Sequence, residues 1–210
     1  MRPQLQLALD VTSLDHALQL CQTTNPWVDW IEVGTPLVIC EGLKSVTRIK
    51  KQFQNKPLLA DIKIVDAASL IVTQALDAQA DIITVLSAAS DKTITTCIEL
   101  AHKRTCTVLG DHISSQISID ACRRLADLGV DYVGMHITKD SDGSLPLASL
   151  EDLLAHLTVP VVLAGGINIQ RLGLLKGLPI HAVVVGSAIL NHSNPASAAQ
   201  EFAAILNNWF

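Results

Sequence analysis

Eight short apolar runs recur along the chain, each closing on a charge or a glycine and each followed by a stretch of helical periodicity. They are LQLALD (5–10), DWIEVG (29–34), PLLADIK (57–63), DIITVLS (81–87), CTVLGD (106–111), YVGMH (132–136), VPVVLAGG (159–166) and HAVVVGSA (181–188). Strands buried on both faces of a sheet read as near-continuous apolar runs of this kind. Between the runs, SLDHALQLC places apolar residues at i, i+3, i+4 and i+7 from Leu14. LKSVTRIKKQF and SIDACRRLADLG read as helices in the same way, the second opening on a Ser or Asp cap and ending in Gly. Eight strand–helix repeats, with no Pro/Ser-rich linker among them, predict one (β/α)8 TIM-barrel domain over residues 1–210. The runner-up is an open doubly wound sheet, which needs a glycine-rich turn after its first strand. That turn here is LDVTSLDH, with no glycine in it.

Composition removes other classes. The chain is 49% hydrophobic and only 17% charged, which suits a buried core and not a disordered tail. With a net charge of −5 and no basic cluster beyond those in IKK and HKR, it lacks the basic face that nucleic acid demands. The apolar runs are too short to span a bilayer, and MRPQLQLALD is too short for a signal segment. No nucleic-acid or membrane partner is therefore expected. Five cysteines, an odd number without C-x-x-C spacing, argue against a disulfide framework or structural zinc. They read as small buried hydrophobes in a reducing cytoplasm.

In such a barrel the C-terminal strand ends share one mouth, where catalytic groups gather. The chain puts Asp10, Glu32, Asp61 with Lys63, Asp111 and His136 at those ends. Alternation along a strand aims Asp61 and Lys63 the same way and Ile62 toward the helices. The same rule turns Glu32 and Asp10 to the axis, with Ile31 and Val33 against the helix layer. Any one of these charges could cap a strand end in water. As an inward-facing set they must be paired or must bind something. Several carboxylates in one pocket need a cation, either Lys63 or a hard metal ion; Mg2+ suits Glu32 plus Asp61, since it takes one or two carboxylates and completes its shell with water and substrate.

Asp66 stands three residues past Lys63, beyond the strand end. It either caps a helix starting near Ala67 or acts outside its own pocket. AGGI (164–167) and VGSA (185–188) follow strands 7 and 8, where many barrels hold a phosphate on backbone N–H groups. Gly165, Gly166 and Gly186 allow close approach and Ser187 adds a hydroxyl; ordinary tight turns are the plainer reading. His136 is the group at the mouth whose unperturbed pKa suits proton transfer near neutral pH. His16, His102, His156 and His192 read as structural or exposed, and so do His112 and His181. Lys139 is either a solvated loop charge or a substrate contact.

ALD (8–10), IEVGTPL (31–37), EGL (41–43), ADIKIVDA (60–67), ADIITVLSAA (80–89), MH (135–136), AGGI (164–167) and VGSAI (185–189) together resemble the orotidine 5'-phosphate decarboxylase suprafamily. Within it they resemble the branch of 3-hexulose-6-phosphate synthase and 3-keto-L-gulonate-6-phosphate decarboxylase. The resemblance covers nearly the whole chain, and the D-x-K-x-x-D motif (Asp61, Lys63, Asp66) is specific to the suprafamily. Orotidine decarboxylases carry a Lys at the end of strand 2, where this chain has Glu32, which fits the metal-dependent sugar-phosphate branch.

The resemblance implies that Glu32 and Asp61 hold Mg2+ and that the metal and Lys63 stabilise a 1,2-enediolate of a sugar phosphate. It implies that Asp66 reaches into the partner's site of a homodimer and that Asp111 is the acidic residue after strand 5. It implies that His136 transfers protons and that Gly165, Gly166, Gly186 and Ser187 hold the phosphate. GTPL, ADIITVL, Asp111 and the Gly–Ser phosphate loop look like the synthases, whereas KGLPIHAVVVG (176–186) and the terminal NNWF look like the decarboxylases. Those decarboxylases carry an Arg where this chain has Ser187 and another where it has Lys139, which favours the synthase. Two rivals stand beside it: an epimerase or isomerase using Asp10 and Asp111 as acid and base, and a phosphosugar-binding protein without catalysis.

Overall fold

The computed structural model describes residues 2–114, 118–137 and 147–210. Its first half runs β1 (Gln4–Ala8), α1 (Leu14–Thr24), β2 (Trp30–Val33), α2 (Thr35–Glu41), α3 (Lys44–Gln52), β3 (Leu58–Ile64), α4 (Ala68–Asp77), β4 (Ile82–Leu86) and α5 (Asp91–His102). The second half runs β5 (Thr107–Ser114), α6 (Ile119–Asp127), β6 (Tyr132–Ile137), α7 (Leu147–His156), β7 (Val161–Ala164), α8 (Ile169–Leu174), β8 (Ala182–Val185), α9 (Ser187–Leu190) and α10 (Pro195–Asn207). The strands are parallel and close in sequence order, β8 pairing back onto β1. This is the (β/α)8 TIM barrel that the eight apolar runs predict. Every strand but β6 is a residue or more shorter than its run at one or both ends, and β3, β5 and β6 continue past Lys63, Asp111 and His136.

The helices start where side chains can satisfy the first free N–H groups. The hydroxyls of Ser13, Ser90 and Ser118 and the amide oxygens of Asn168 and Asn194 accept from backbone N–H groups in the first turns of α1, α5, α6, α8 and α10. In α1, Leu14, Ala17, Leu18 and Cys21 are buried against the sheet, as their spacing requires. Ile31, Val33, Val85, Val133 and Val183 point outward from their strands into this same sheet–helix layer, which forms the larger part of the core.

Inside the barrel the registers stack side chains in tiers. Trp30, Ile82, Tyr132 and Ala182 come from the even strands, and Gln6, Leu59, Leu109 and Val162 from the odd strands one step higher. The next even tier is Glu32, Thr84, Gly134 and Val184, and the odd tier above it holds Ala8, Asp61, Asp111 and Ala164. Chemistry therefore changes along the axis, from apolar at the floor to polar at the mouth.

The floor is closed by rings. Trp30 and Tyr132 meet edge to face with centroids 5.3 Å apart, and His181 stacks on Tyr132 at 5.2 Å and on Trp30 at 5.5 Å. Burial pushes the His181 imidazole below its usual pKa, which fits its structural reading. Beneath the rings an aspartate precedes three even strands. Asp29, Asp81 and Asp131 accept the backbone N–H groups of Leu5 (2.8 Å), Leu58 (2.7 Å) and Val108 (2.8 Å) on the preceding odd strands. His181 holds the fourth such position.

Candidate active site

The mouth opens as a cleft of about 360 Å³. It is lined by Asp10, Glu32, Asp61, Lys63, Asp111 and His136, and by Gly165, Gly166, Gly186 and Ser187 on the opposite rim. The structure thus brings together all the strand-end residues singled out from the sequence. Asp66 lies outside this cleft, in a shallow surface hollow with Ser69, Lys92 and Thr96. Nor does it cap a helix: Ala67 occupies the N-cap position of α4, in the left-handed region at φ +53° and with no side-chain hydrogen bond. That reading of Asp66 is therefore corrected. Lys139 lies outside the described residues.

Asp61 is bonded through both carboxylate oxygens. Its Oδ2 accepts the Thr35 hydroxyl at 2.7 Å and the Lys63 ammonium, and its Oδ1 accepts the Thr84 hydroxyl at 3.0 Å. The Lys63 backbone N–H in turn donates to Thr84 Oγ1 at 2.9 Å. The geometry behind this differs from simple alternation. Between Ala60 and Ile64 the register of β3 against β4 shifts, and Lys63 sits at φ +45°. A bulge, and not a regular pleat, turns Lys63 to the same side as Asp61. Left-handed backbone costs a non-glycine residue about 1–2 kcal/mol, and such strain concentrates at functional sites.

Glu32 is buried one tier below. Its Oε2 accepts from Gln6 Nε2 at 2.6 Å. Burial, then the charge of Asp61 and more weakly that of Asp10, pushes the Glu32 carboxyl up to about 8, against the opposing pull of Gln6 and Lys63. Burial by itself would lower Lys63, but the charges of Asp61, Asp111 and Glu32 outweigh it and hold the amine above its usual value. The pocket is thus short of positive charge, and its lysine stays an ammonium.

Across the cleft, His136 Nδ1 lies 3.8 Å from Asp111 Oδ2. Asp111 is 6% exposed, and it fits because the facing position on β6 is Gly134: a Cβ there would come within 2.8 Å of Asp111 Oδ1 and 2.6 Å of Leu109. On the other rim Gly165 and Gly166 adopt φ +106° and +59°, a turn open to residues without a side chain. His112 is structural: its Nε2 accepts the Ser118 N–H at 3.2 Å, so its Nδ1 carries the proton toward Ser87 Oγ at 2.9 Å.

Gln6, Thr35, Thr84 and Gly134 belong to the site and were not singled out from the sequence. Gln6 carried a signal, being a polar residue in an apolar run with Leu5 and Leu7 facing the helices. The others had none beyond their inward phase.

Among the described residues, no three His, Cys, Asp or Glu side chains gather as a metal-binding group. The donor set still fits a hard cation that relies on few carboxylates: Glu32 and Asp61 lie in successive tiers, oxygen-only and in want of positive charge. Among the described residues no helix is long and apolar enough to cross a membrane.

Residues 3–202 match the Orotidine 5'-phosphate decarboxylase / HUMPS family. The chain belongs to this family. A Staphylococcus epidermidis protein named 3-hexulose-6-phosphate synthase is 35% identical over 206 residues, which is 97% of this chain and 98% of that protein. The crystal structure of 3-hexulose-6-phosphate synthase from Salmonella typhimurium superposes with a TM-score of 0.92 at 33% identity, over 99% of this chain and 100% of the other. That of 3-keto-L-gulonate-6-phosphate decarboxylase from Vibrio cholerae superposes with a TM-score of 0.88 at 25% identity, over 100% of both. These relatives are carbon–carbon lyases, and this family member is an enzyme of that class.

Proposed function

We propose that the protein is a magnesium-dependent 3-hexulose-6-phosphate synthase, adding formaldehyde to ribulose 5-phosphate in a reversible aldol reaction that passes through a 1,2-enediolate. The observation that carries this reading is the convergence of Glu32, Asp61 and Lys63 on one side of the mouth, facing the His136–Asp111 pair on the other. Relatives named synthase share 35% and 33% identity with the chain, against 25% for the decarboxylase, and this favours the synthase over 3-keto-L-gulonate-6-phosphate decarboxylation.

Glu32 and Asp61 would hold the Mg2+, which supplies Lewis-acid polarisation of the two substrate oxygens that share the enediolate charge. Lys63, fixed as an ammonium by its bulge and by Asp61, donates to the same developing charge, an arrangement that needs no reorganisation as the charge forms. With Nδ1 turned to Asp111, His136 takes the C1 proton of ribulose 5-phosphate on Nε2, and Asp111 stabilises the imidazolium. The carbon so released attacks formaldehyde; a C–C bond forms, and the new alkoxide recovers the proton from His136. Asp10 faces a substrate hydroxyl. The backbone N–H groups of Gly165, Gly166 and Gly186, with the Ser187 hydroxyl and Lys139, hold the phosphate.

We also place Asp66 in a partner's site within a homodimer. Support comes from its position outside its own cleft and from the exposure of Val65 (51%) and Leu70 (63%) on either side of it in sequence. Mixing Lys63→Ala and Asp66→Ala proteins, each inactive alone, tests this. Subunit exchange should restore roughly a quarter of wild-type turnover if sites are shared, and none if each subunit is self-sufficient.

The reaction is tested by supplying ribulose 5-phosphate with formaldehyde in one assay and 3-keto-L-gulonate 6-phosphate in another, each with Mg2+ or EDTA. Turnover in the first, abolished by EDTA, is expected. Turnover in the second assay alone would replace the synthase with the decarboxylase. Exchange at the sugar C3 without one-carbon chemistry would replace both with an epimerase. Ligand binding without turnover would leave a phosphosugar-binding protein, and undiminished turnover in EDTA would remove the metal.

A further inference from the structure

Gln6 stands on β1 in the tier under Glu32, 1% exposed. Its amide nitrogen donates to Glu32 at 2.6 Å, while its carbonyl oxygen Oε1, on the same carbon, is buried with no hydrogen-bond partner among the described residues. Fully buried acceptors left unpaired are rare in folded proteins and ask for an explanation such as an ion or a water. The surroundings narrow that choice. The hydroxyls of Thr35 and Thr84 and the Lys63 ammonium are all committed to Asp61. Glu32, Asp61 and Gln6 Oε1 therefore form a cluster rich in oxygen acceptors. The hydrogen bonds among the described residues leave Gln6 Oε1 without a donor.

A second orphan oxygen, Asn25 Oδ1, lies at the C-cap of α1 and does not line the cleft. Gln6 does line it. The two carboxylates leave most of a six-oxygen shell to neutral ligands, and an amide carbonyl is a hard, neutral oxygen of the kind Mg2+ and Mn2+ accept.

From this geometry we infer that Gln6 has a double role at the cation site: its Nε2 fixes the rotamer of Glu32, and its Oε1 is a third protein oxygen on the divalent ion. The inference rests on the magnesium reading given above. It makes the floor of the cleft part of the metal site and assigns a function to the buried glutamine of β1.

Mn2+ serves as the probe, titrated into the purified protein and followed by electron paramagnetic resonance for free ion and by water-proton relaxation for waters left on the bound ion. Wild type is expected to bind one Mn2+ in a manner lost in Glu32→Gln. Gln6→Leu should weaken binding about tenfold or more and leave one additional water on the ion. Gln6→Glu, which keeps an oxygen at that place and loses the donor, should bind at least as tightly as wild type. Circular dichroism melts of each variant establish that it is folded.

Equal weakening in Gln6→Glu and Gln6→Leu would make Gln6 a mere donor to Glu32 and overturn its role as a ligand. Unchanged affinity and hydration in Gln6→Leu would assign Oε1 to a water and overturn the inference alone, with the metal reading intact. No Mn2+ binding by wild type would remove the metal reading and this inference with it.

Discussion

The two ends of the barrel interior are built from the same strands and obey opposite rules. At the floor, Trp30, Tyr132 and His181 fill space with rings, and Asp29, Asp81 and Asp131 each satisfy one backbone N–H of the preceding strand. The carboxylates there have structural partners, and half-burial disfavours charge on the histidine. At the mouth, Glu32, Asp61 and Asp111 are 8%, 5% and 6% exposed, Lys63 is the one cation lining the cleft among the described residues, and the backbone under that lysine is strained. The difference separates stability from function along a single axis: what the floor optimises, the mouth leaves incomplete for a ligand to complete.

Five substitutions set the two ends against each other. The largest effect is expected from Lys63→Ala, which should lower kcat on the order of a thousandfold while leaving the melting temperature near that of wild type, measured by the formaldehyde assay and by calorimetry. A comparable fall in melting temperature would show that the mouth also holds the fold together. Trp30→Ala should do the reverse, costing about 3–5 kcal/mol in urea unfolding and leaving kcat of the folded enzyme within about twofold.

Gly134→Ala couples the ends. Its Cβ would press on Leu109 below and Asp111 above, so a loss of about 1–3 kcal/mol should accompany a lower kcat with little change in KM. A change in stability alone would mean that Asp111 needs no fixed position.

The smallest effects are in pH dependence, and their signs oppose. Glu32 has its carboxyl raised from 4.5 to about 8, so the folded state keeps a proton that the unfolded chain releases. Its contribution is present below pH 4.5 and is lost as pH rises toward 8. Glu32→Gln should flatten the alkaline decline in urea midpoint. His181 is lowered from 6.5, so its contribution is present above that value and is lost as pH falls below it. His181→Phe should flatten the acid side instead. Urea midpoints measured from about pH 5 to 9 read both slopes, and a shared sign would contradict the assignment.

The barrel was legible because strand and helix periods are local: each apolar run and each cap is written in consecutive residues. Glu32 and Asp61 were legible for the same reason, since phase within a strand decides which side faces the axis. Lys63 was placed correctly by alternation, although a bulge without glycine or proline does the turning, and no nearby residue announces it. Gly134 makes sense only beside Asp111, and the ring cluster only once residues 30, 132 and 181 meet at the closure of the sheet. Such features depend on contacts across strands, which a linear pattern does not carry. Asp66 was ambiguous between a cap and a remote role, and the left-handed Ala67 that removes the first was equally invisible.

The carboxylate clamps recur at 29, 81 and 131, with His181 in the fourth place, a period of roughly fifty residues; each accepts a backbone N–H of the strand before it and also holds a side chain that precedes it in sequence, Arg2, Lys50 or His102. Such a base is modular: a two-strand unit carries its own fastening and could be duplicated or re-joined at new termini without redesign. The chemistry has no such modularity. Glu32 and Asp61 come from different quarters of the ring, and His136 from a third, so a fragment can inherit the architecture but never the activity.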